Sequence, residues 1–266
     1  PMPGGALVSA TAVKDLVRRL GITPAQATYI NFWFRHTWEL SVPVYPGVIA
    51  ASVVLSVPLS LVVLTMLPSI PLFIFIGGIV SYRMLRDISS AESPQGLPFP
   101  RLIKELAHAA WPVIILVAMV LAGVEAALAF VIAGVLLATQ QRAPRNEILQ
   151  ALKYGFGLRV LFLLYSVMLY KGIVEESGAA YALFSDMQAV GMPTWVILVI
   201  LPLLIGFATG LSVAFVGISF TLLLPFMMSG GELNSFALFL AYIGGGLGYM
   251  ASPLHLCLIL SAEFFR

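Results

Sequence analysis

An arginine and a histidine lie between two tryptophans in the first fifth of the chain, and a glutamate follows the second tryptophan. Arg35 and Glu39 are four residues apart, so on a helix they can pair on one face. His36 can bind a ligand or carry a proton. Charged groups in an apolar segment commonly face a partner or a water-filled cavity; the alternative is an interfacial segment from which Arg35 extends to the surface. Arg35 and His36 are therefore candidate substrate- or ion-binding residues.

A second histidine follows a predicted helix break near the other end of the chain. Residues 244–246 are three consecutive glycines, and Ser252-Pro253 precedes His255. Because glycine and proline interrupt helices, we expect a discontinuous helix with breaks at both places. Broken helices at membrane depth persist where the freed backbone groups line a cavity. Ser252 and His255 are therefore candidate binding residues; the alternative is a kinked packing helix with a hydrogen-bonded histidine.

Two segments rich in glycine and hydroxyl residues are candidate hairpin tips. The chain opens Pro-Met-Pro-Gly-Gly and continues to Ser9, and residues 206–219 contain three glycines and three hydroxyls. At such a tip, free backbone N–H groups and hydroxyls can face a ligand. The alternatives are a turn at the membrane edge, or close helix packing through small residues. The candidate binding residues at the two tips are Gly4, Gly5, Ser9, Thr209, Gly210 and Ser212.

The composition of the 266 residues indicates the environment of these segments. Hydrophobic residues make up 60% of the chain and charged residues 10%, against about 45–50% and about 25% in soluble domains. The mean hydropathy is +1.01. A soluble fold of this length cannot bury so much apolar surface. The sequence therefore predicts an all-α polytopic membrane protein, and it excludes collagen, a disulfide scaffold and a nucleic-acid-binding protein.

Runs of apolar residues predict the membrane segments. A span needs about 20 apolar residues, and the candidates are 44–66, 68–82, 109–139, 156–174, 193–228 and 236–265. The run 109–139 exceeds one span and predicts two short helices with a turn at Gly123-Val124-Glu125. The run 193–228 predicts a hairpin with its tip at residues 208–210, either as two full spans or as a re-entrant loop. In the N-terminal part, either 22–42 or 68–82 does not cross.

The distribution of lysine and arginine predicts the orientation. The segments 83–107 and 140–159 carry four such residues each, whereas 175–192 and 229–235 carry acidic residues and no basic ones. By the positive-inside rule, loops 83–107 and 140–155 face the cytoplasm of a multi-pass protein in the cell inner (plasma) membrane.

A repeated pattern predicts the domain organisation. Twice, a polar glycine-rich tip precedes a helix that carries a histidine near a break, which is the outline of an inverted repeat. We expect residues 1–82 to end the first repeat (hairpin arm, broken helix, scaffold helix) and 83–107 to form a cytoplasmic loop. Residues 108–266 would form the second repeat, with scaffold helices 109–139, span 156–174, hairpin 193–228 and broken helix 236–265. The chain begins without methionine and ends in an apolar run, so we also expect a fragment that lacks helices at its N-terminus and at its C-terminus.

Three strings, Pro1–Ala10, Asn31–Glu39 and Ser252–Leu258, resemble an uncharacterised family of prokaryotic integral membrane proteins. That family is grouped with the ion-transporter superfamily, alongside gluconate permeases, citrate–metal symporters, dicarboxylate carriers and arsenite pumps. The resemblance implies two opposed hairpins and two broken helices that enclose an anionic substrate and a coupling Na⁺ or H⁺, with an elevator-type movement. It also implies a homodimer. By this likeness the site would use Gly4, Gly5, Ser9, Asn31, Thr209, Gly210, Ser212, Ser252 and His255.

Three functions compete at this stage. The first is an ion-coupled secondary transporter (a permease or symporter) for a small, anionic solute, with a small-molecule or ion substrate and the lipid bilayer as its partners. The second is a cation/proton antiporter, for which Glu39 and Glu263 are the available carboxylates. The third is a membrane enzyme, which the sequence disfavours because it lacks a metalloprotease motif and a close nucleophile–base pair. No catalytic residue, cofactor or metal ligand is predicted: Cys257 is expected to be a buried inert thiol on a different helix face from His255.

Overall fold

A computed structural model describes residues 5–86, 98–155, 158–229 and 231–266. Within these ranges the chain is all-α, apart from a short antiparallel pairing of Met228-Ser229 with Glu232-Leu233. It divides into two compact units. The larger comprises Pro1–Ser93 and Lys171–Arg266, and the smaller comprises Pro94–Tyr170.

The helices follow one another with short connections. In chain order they are α1 (Gly5–Arg19), α2 (Pro24–His36), α3 (Pro46–Leu55), α4 (Leu59–Met66), α5 (Ser69–Leu85), α6 (Phe99–Leu121), α7 (Ala126–Gln140), α8 (Arg145–Gly155), α9 (Leu158–Ser177), α10 (Ala179–Ala189), α11 (Thr194–Thr209), α12 (Ser212–Phe215), α13 (Thr221–Met227), α14 (Ser235–Ala251) and α15 (Leu256–Phe265). A π-helical segment, Val216–Phe220, joins α12 to α13.

The predicted single span 44–66 is wrong. Helix α3 ends at Leu55, Ser56 takes a left-handed conformation (φ 56°), and Pro58 precedes α4. Proline lacks an N–H and disfavours helical geometry in the residue before it, so the break falls here. Helices α4 and α5 instead run on as one apolar helix, Leu59–Leu85, of 27 residues with a mean hydropathy of 2.4.

Leu59–Leu85 is the one helix among the described residues that meets the length and hydropathy of a membrane span. The pair α14 and α15 meets them jointly, as two apolar helices bent by 40° at their break. Shorter apolar helices occur at Pro46–Leu55, Ala110–Leu121, Ala126–Gln140, Thr194–Thr209 and Ser212–Met227.

The predicted break at residues 244–246 is wrong, whereas the break after Ala251 is confirmed. Helix α14 runs through the three glycines without interruption. The glycines instead allow close packing: a Cβ on Gly244 would lie 2.5 Å from the carbonyl oxygen of Val199 in α11. At Ser252-Pro253 the proline ends the helix, as expected from its missing N–H.

The predicted turns are present in the structure, whereas the predicted loops are partly helical. The turn at Gly123-Val124-Glu125 separates α6 from α7, and Gly210 separates α11 from α12, as the sequence predicts. The predicted loops 140–155 and 175–192 contain helices α8 and α10. Pro144 lies directly before α8, and neither helix contains an internal proline, so their polarity is compatible with exposed helices. Much of the described part of loop 83–107 is likewise helical, because α5 continues to Leu85 and α6 begins at Phe99.

Packing in the larger unit connects its two sequence segments. Helix α2 packs against α15 and α5, and α1 packs against α15 and α2. Helix α3 packs against α12 and the π-helical segment, while α11 lies along α14. In the smaller unit, α6 packs against α7. The contact between α2 and α15 brings together the two segments that carry the histidines, because His36 ends α2 and His255 directly precedes α15.

Candidate functional site

The two histidines predicted from separate segments meet in the interior of the larger unit. The Nε2 atoms of His36 and His255 are 3.0 Å apart. Their side chains are 1% and 6% exposed, respectively. His36 is the last residue of α2, and His255 is the N-cap of α15 in extended conformation. The pair therefore joins the end of one helix to the break between two others.

The orientation of His36 follows from one backbone contact. Its Nδ1 lies 2.6 Å from the carbonyl oxygen of Phe32, one turn earlier in α2. Because a carbonyl oxygen can only accept a hydrogen bond, Nδ1 carries the proton. In the neutral ring, Nε2 of His36 is then unprotonated, and its lone pair is directed at His255. The Oε2 atom of Glu39 also lies 3.4 Å from this Nε2.

Arg35 and Cys257 complete the group that we call the histidine cluster: Arg35, His36, Glu39, His255 and Cys257. Nη2 of Arg35 lies 3.9 Å from Sγ of Cys257. One ligand atom each from His36, His255 and Cys257 lie within 4.8 Å of one another. Glu39 lies within electrostatic range of Arg35. The cluster thus combines a guanidinium, two imidazoles, a carboxyl and a thiol.

Two aromatic rings enclose the imidazoles. The ring of Phe32 has its centroid 4.3 Å from that of His36 and 5.2 Å from that of His255. The ring of Tyr249 lies 5.1 Å from His255, and its phenol group lies beside the Glu39 carboxyl. Such walls exclude water, so interactions between the polar groups inside are stronger than at a surface.

The break between α14 and α15 is shaped by Ser252 and by the tip of the α11–α12 hairpin. The fully buried Ser252 accepts a hydrogen bond from the backbone N–H of Leu254 at 3.1 Å. Gly210 at the tip has φ +66°, and a Cβ there would lie 3.0 Å from the backbone N of His255 and 3.1 Å from Oγ of Ser252. Glycine is required at this position for both its conformation and its close approach.

Other predicted residues also lie near the cluster. The side chain of Arg35 packs directly on Gly5, at the start of α1, and leaves no space there for a Cβ. Asn31 is buried and donates hydrogen bonds to the carbonyl of Ala6 (3.3 Å) and to Ser261 Oγ (3.0 Å). Asn31 therefore joins α2 to α1 and α15 by hydrogen bonds, which is a structural role. It lies one helical turn before Arg35. Gly4 lies outside the described residues.

Three predicted hydroxyls are not brought to the cluster by any described contact. Ser9 and Thr209 donate hydrogen bonds to backbone carbonyls of their own helices. The side chain of Ser212 lies against Gly47, at the start of α3, beside the hydroxyl of Tyr242. The hydroxyls of Ser9 and Thr209 are thus hydrogen-bonded within their own helices, and Ser212 lies at the contact with α3.

Two expectations about spacing are wrong because they assumed continuous helix. Cys257 and His255 do not point to separate faces, since His255 precedes α15 and its extended backbone turns the imidazole toward the thiol. Cys257 is also half-buried rather than buried. Arg35 and Glu39 do not share a helix face, since α2 ends at His36 and Glu39 lies in the following turn.

The two histidines also occupy different positions relative to their helices. His36 is the last helical residue before a break, and His255 follows one. The sequence analysis named Glu39 only as a carboxylate for the antiporter alternative, and it assigned no binding role to Cys257 or to the neighbouring Tyr249. The signal available for Cys257 was its position two residues after His255.

The larger unit therefore defines a class of helical protein in which polar groups at helix ends and breaks converge on a buried cluster. The chain belongs to the family described as "Protein of unknown function (DUF401)", which matches residues 1–266. Neither the curated proteins nor the solved structures provide a match to this chain.

Proposed function

We propose that the chain is part of a secondary active transporter that moves a small anionic solute across the cell membrane, coupled to Na⁺ or H⁺. The observation that carries this proposal is the convergence of a helix end (His36), a helix break (Ser252 to His255) and a hairpin tip (Gly210) on one buried cluster. Transporters build substrate sites from such interrupted helices, because their ends expose backbone groups to a ligand.

The packing of the larger unit supports an inverted repeat. Helix α1 packs on α15, and α12 with the π-helical segment packs on α3. In this repeat, the hairpin arm α1 corresponds to α12–α13, and the broken helix α2–α3 corresponds to α14–α15. Each hairpin arm then contacts the second half of the other repeat's broken helix: α1 contacts α15, and α12 contacts α3. A reciprocal exchange of this kind is expected of two halves related by a pseudo-twofold axis, in agreement with the ion-transporter superfamily resemblance.

The exposed surface supports placement in a membrane. Large apolar side chains are well exposed on several helices of the larger unit, including Leu64 (53%), Phe75 (66%) and Phe207 (47%). Outward-facing large apolar side chains on several helices are expected where helices contact lipid. Under this proposal loops 83–107 and 140–155 are cytoplasmic, the remaining short apolar helices are broken or re-entrant segments, and the protein functions as a homodimer.

The charges of the cluster support an anionic solute. Arg35 supplies a permanent positive charge and a planar set of donors suited to carboxylates and oxyanions. A protonated His255 imidazole would add a second N–H donor, and Gly210 brings the hairpin tip against the backbone of that residue. A proton taken up by the imidazole pair would increase the positive charge, which provides a route for coupling to H⁺.

The direct test measures binding and flux of the full-length protein. Its thermal stability in detergent would be measured against carboxylates, sugar acids and oxyanions, with and without Na⁺ and at two pH values. An anion present at 100 times its Kd should stabilise the protein by about 2.7 kcal/mol. In proteoliposomes, Arg35→Gln should abolish uptake of that anion, whereas Arg142→Gln, an exposed substitution in the smaller unit, should leave uptake unchanged. Stabilisation by no anion, or equal uptake by both variants, would contradict the proposal.

A cation/proton antiporter is the second candidate, favoured by the proximity of Glu39 to His36. Glu39→Gln distinguishes the two functions. An antiporter that binds its cation and proton at this carboxyl would lose all exchange. An anion transporter would retain uptake of its substrate, with a changed dependence on pH.

A further inference from the structure

We propose that His36, His255, Cys257 and Glu39 bind a divalent transition-metal ion of the zinc type at the junction of α2 with the α14–α15 break. This inference concerns a resident metal site and does not rest on the proposed transport function. The donor set is the starting point: two imidazoles, a thiolate and a carboxylate are the ligands that zinc and its neighbours prefer.

The distances between donors fit a tetrahedral ion. With zinc–nitrogen and zinc–oxygen bonds of about 2.0–2.1 Å, neighbouring ligand atoms lie about 3.3 Å apart. The separation of His36 Nε2 from Glu39 Oε2 is 3.4 Å, and its separation from His255 Nε2 is 3.0 Å. A zinc-bound thiolate lies about 3.6 Å from a neighbouring nitrogen, and Cys257 Sγ is no more than 4.8 Å from the imidazole ligand atoms. His36, His255 and Cys257 therefore supply three donors that lie close to one another, and Glu39, whose Oε2 lies beside His36 Nε2, is the candidate for the fourth.

The hydrogen bonds around the imidazoles support the same conclusion. Metal-binding histidines commonly donate their second ring N–H to a backbone carbonyl, which orients the ring. His36 does so through Nδ1 to Phe32. Nδ1 of His255 is buried and makes no hydrogen bond of good geometry to any described residue. Binding of a metal at Nε2 would place the ring proton on this Nδ1, beside the backbone of Gly210 and Tyr249.

Charge balance is compatible with a divalent ion. Nη2 of Arg35 lies 3.9 Å from Cys257 Sγ, so a positive charge stands beside the sulfur that would bind the ion. The thiolate and the Glu39 carboxylate together supply two negative charges, which offset the ion.

Cobalt spectroscopy tests the site because Cys257 is the only cysteine of the chain. The full chain, purified in detergent with a tag that contains no histidine and then treated with a chelator, would be titrated with Co²⁺. We expect one equivalent to give the strong visible bands of tetrahedral cobalt together with a near-ultraviolet thiolate-to-cobalt band. Cys257→Ser should remove the near-ultraviolet band and weaken binding at least tenfold. His108→Gln, which alters the third and exposed histidine, should bind like the wild type.

Thiol reactivity provides a second readout that does not depend on variants. In the folded wild-type chain, Zn²⁺ should slow the reaction of Cys257 with a maleimide at least tenfold, and Mg²⁺ should have no effect. An unchanged rate with Zn²⁺, or a near-ultraviolet band and an affinity for cobalt that are unchanged in Cys257→Ser, would overturn the proposal. In that case the two imidazoles are held together by an N–H···N hydrogen bond alone. Both readouts are measured without substrate, so their failure is distinct from a failure of the transport proposal.

Discussion

Gly206→Ala should destabilise the protein because it separates two helices whose backbones are in contact. Gly206 lies in α11 and faces α14. A Cβ at this position would be 2.5 Å from the carbonyl oxygen of Gly245 and 2.8 Å from the backbone N of Tyr249. Ordinary contacts of a Cβ begin at 3.4 Å, so the first distance is 0.9 Å too short. Neither neighbour is a side chain that can rotate away, so the helices themselves must move apart.

The expected change in the free energy of unfolding follows from this displacement. Overpacking of a close-fitting interior costs about 1–3 kcal/mol. An alanine in a helix interior would otherwise be favoured over glycine by about 0.5–1 kcal/mol. Gly78→Ala in α5 is the matched control, because nothing lies within 4 Å of a Cβ built there. We expect the control to be as stable as the wild type or more stable, and Gly206→Ala to be less stable than the control by about 1–3 kcal/mol, because both variants gain the same helix propensity.

Thermal denaturation in detergent, at one scan rate and one protein concentration, measures the difference. A free-energy change of 1 kcal/mol corresponds to about 2–4 °C in Tm for chains of about this length. Gly206→Ala should also change binding at the cluster, because the Gly210 N–H bonds to the Gly206 carbonyl at 2.8 Å. Equal Tm values for Gly206→Ala and Gly78→Ala would refute the close contact of α11 with α14.

Two further substitutions test buried hydrogen bonds that join separate helices. Asn31→Ala should lower the free energy of unfolding by about 1–3 kcal/mol, because it removes two buried hydrogen bonds worth about 0.5–1.5 kcal/mol each, one to the Ala6 carbonyl, which keeps Ser9 as a donor, and one to Ser261 Oγ; a Tm within 1 °C of the wild type would contradict this. Ser41→Ala removes a buried hydroxyl that donates to the carbonyl of Met66 at 2.6 Å and lies 2.8 Å from Ser69 Oγ. We expect a smaller loss of about 0.5–1.5 kcal/mol by urea unfolding, since Ser69 also donates to that carbonyl.

Local chemistry predicted the positions where backbone geometry is restricted. The turns at Gly123 and Gly210 and the break at Ser252-Pro253 all follow from the conformational freedom of glycine or the missing N–H of proline. The same reasoning was wrong for the three glycines at 244–246. Glycine permits a break without imposing one, and the neighbouring helix α11 makes a continuous helix the better-packed arrangement.

The sequence by itself determined the helical class of the chain, its apolar surface and the two histidine-bearing segments, because composition and residue type decide these locally. Only the tertiary structure decided which residues form one cluster. His36 and His255 are 219 residues apart, and their contact depends on the packing of α2 against α15. The inclusion of Cys257 depends on the extended conformation of a single residue, His255, before α15 begins. No periodicity in the sequence encodes either arrangement, since both arise from contacts between distant segments.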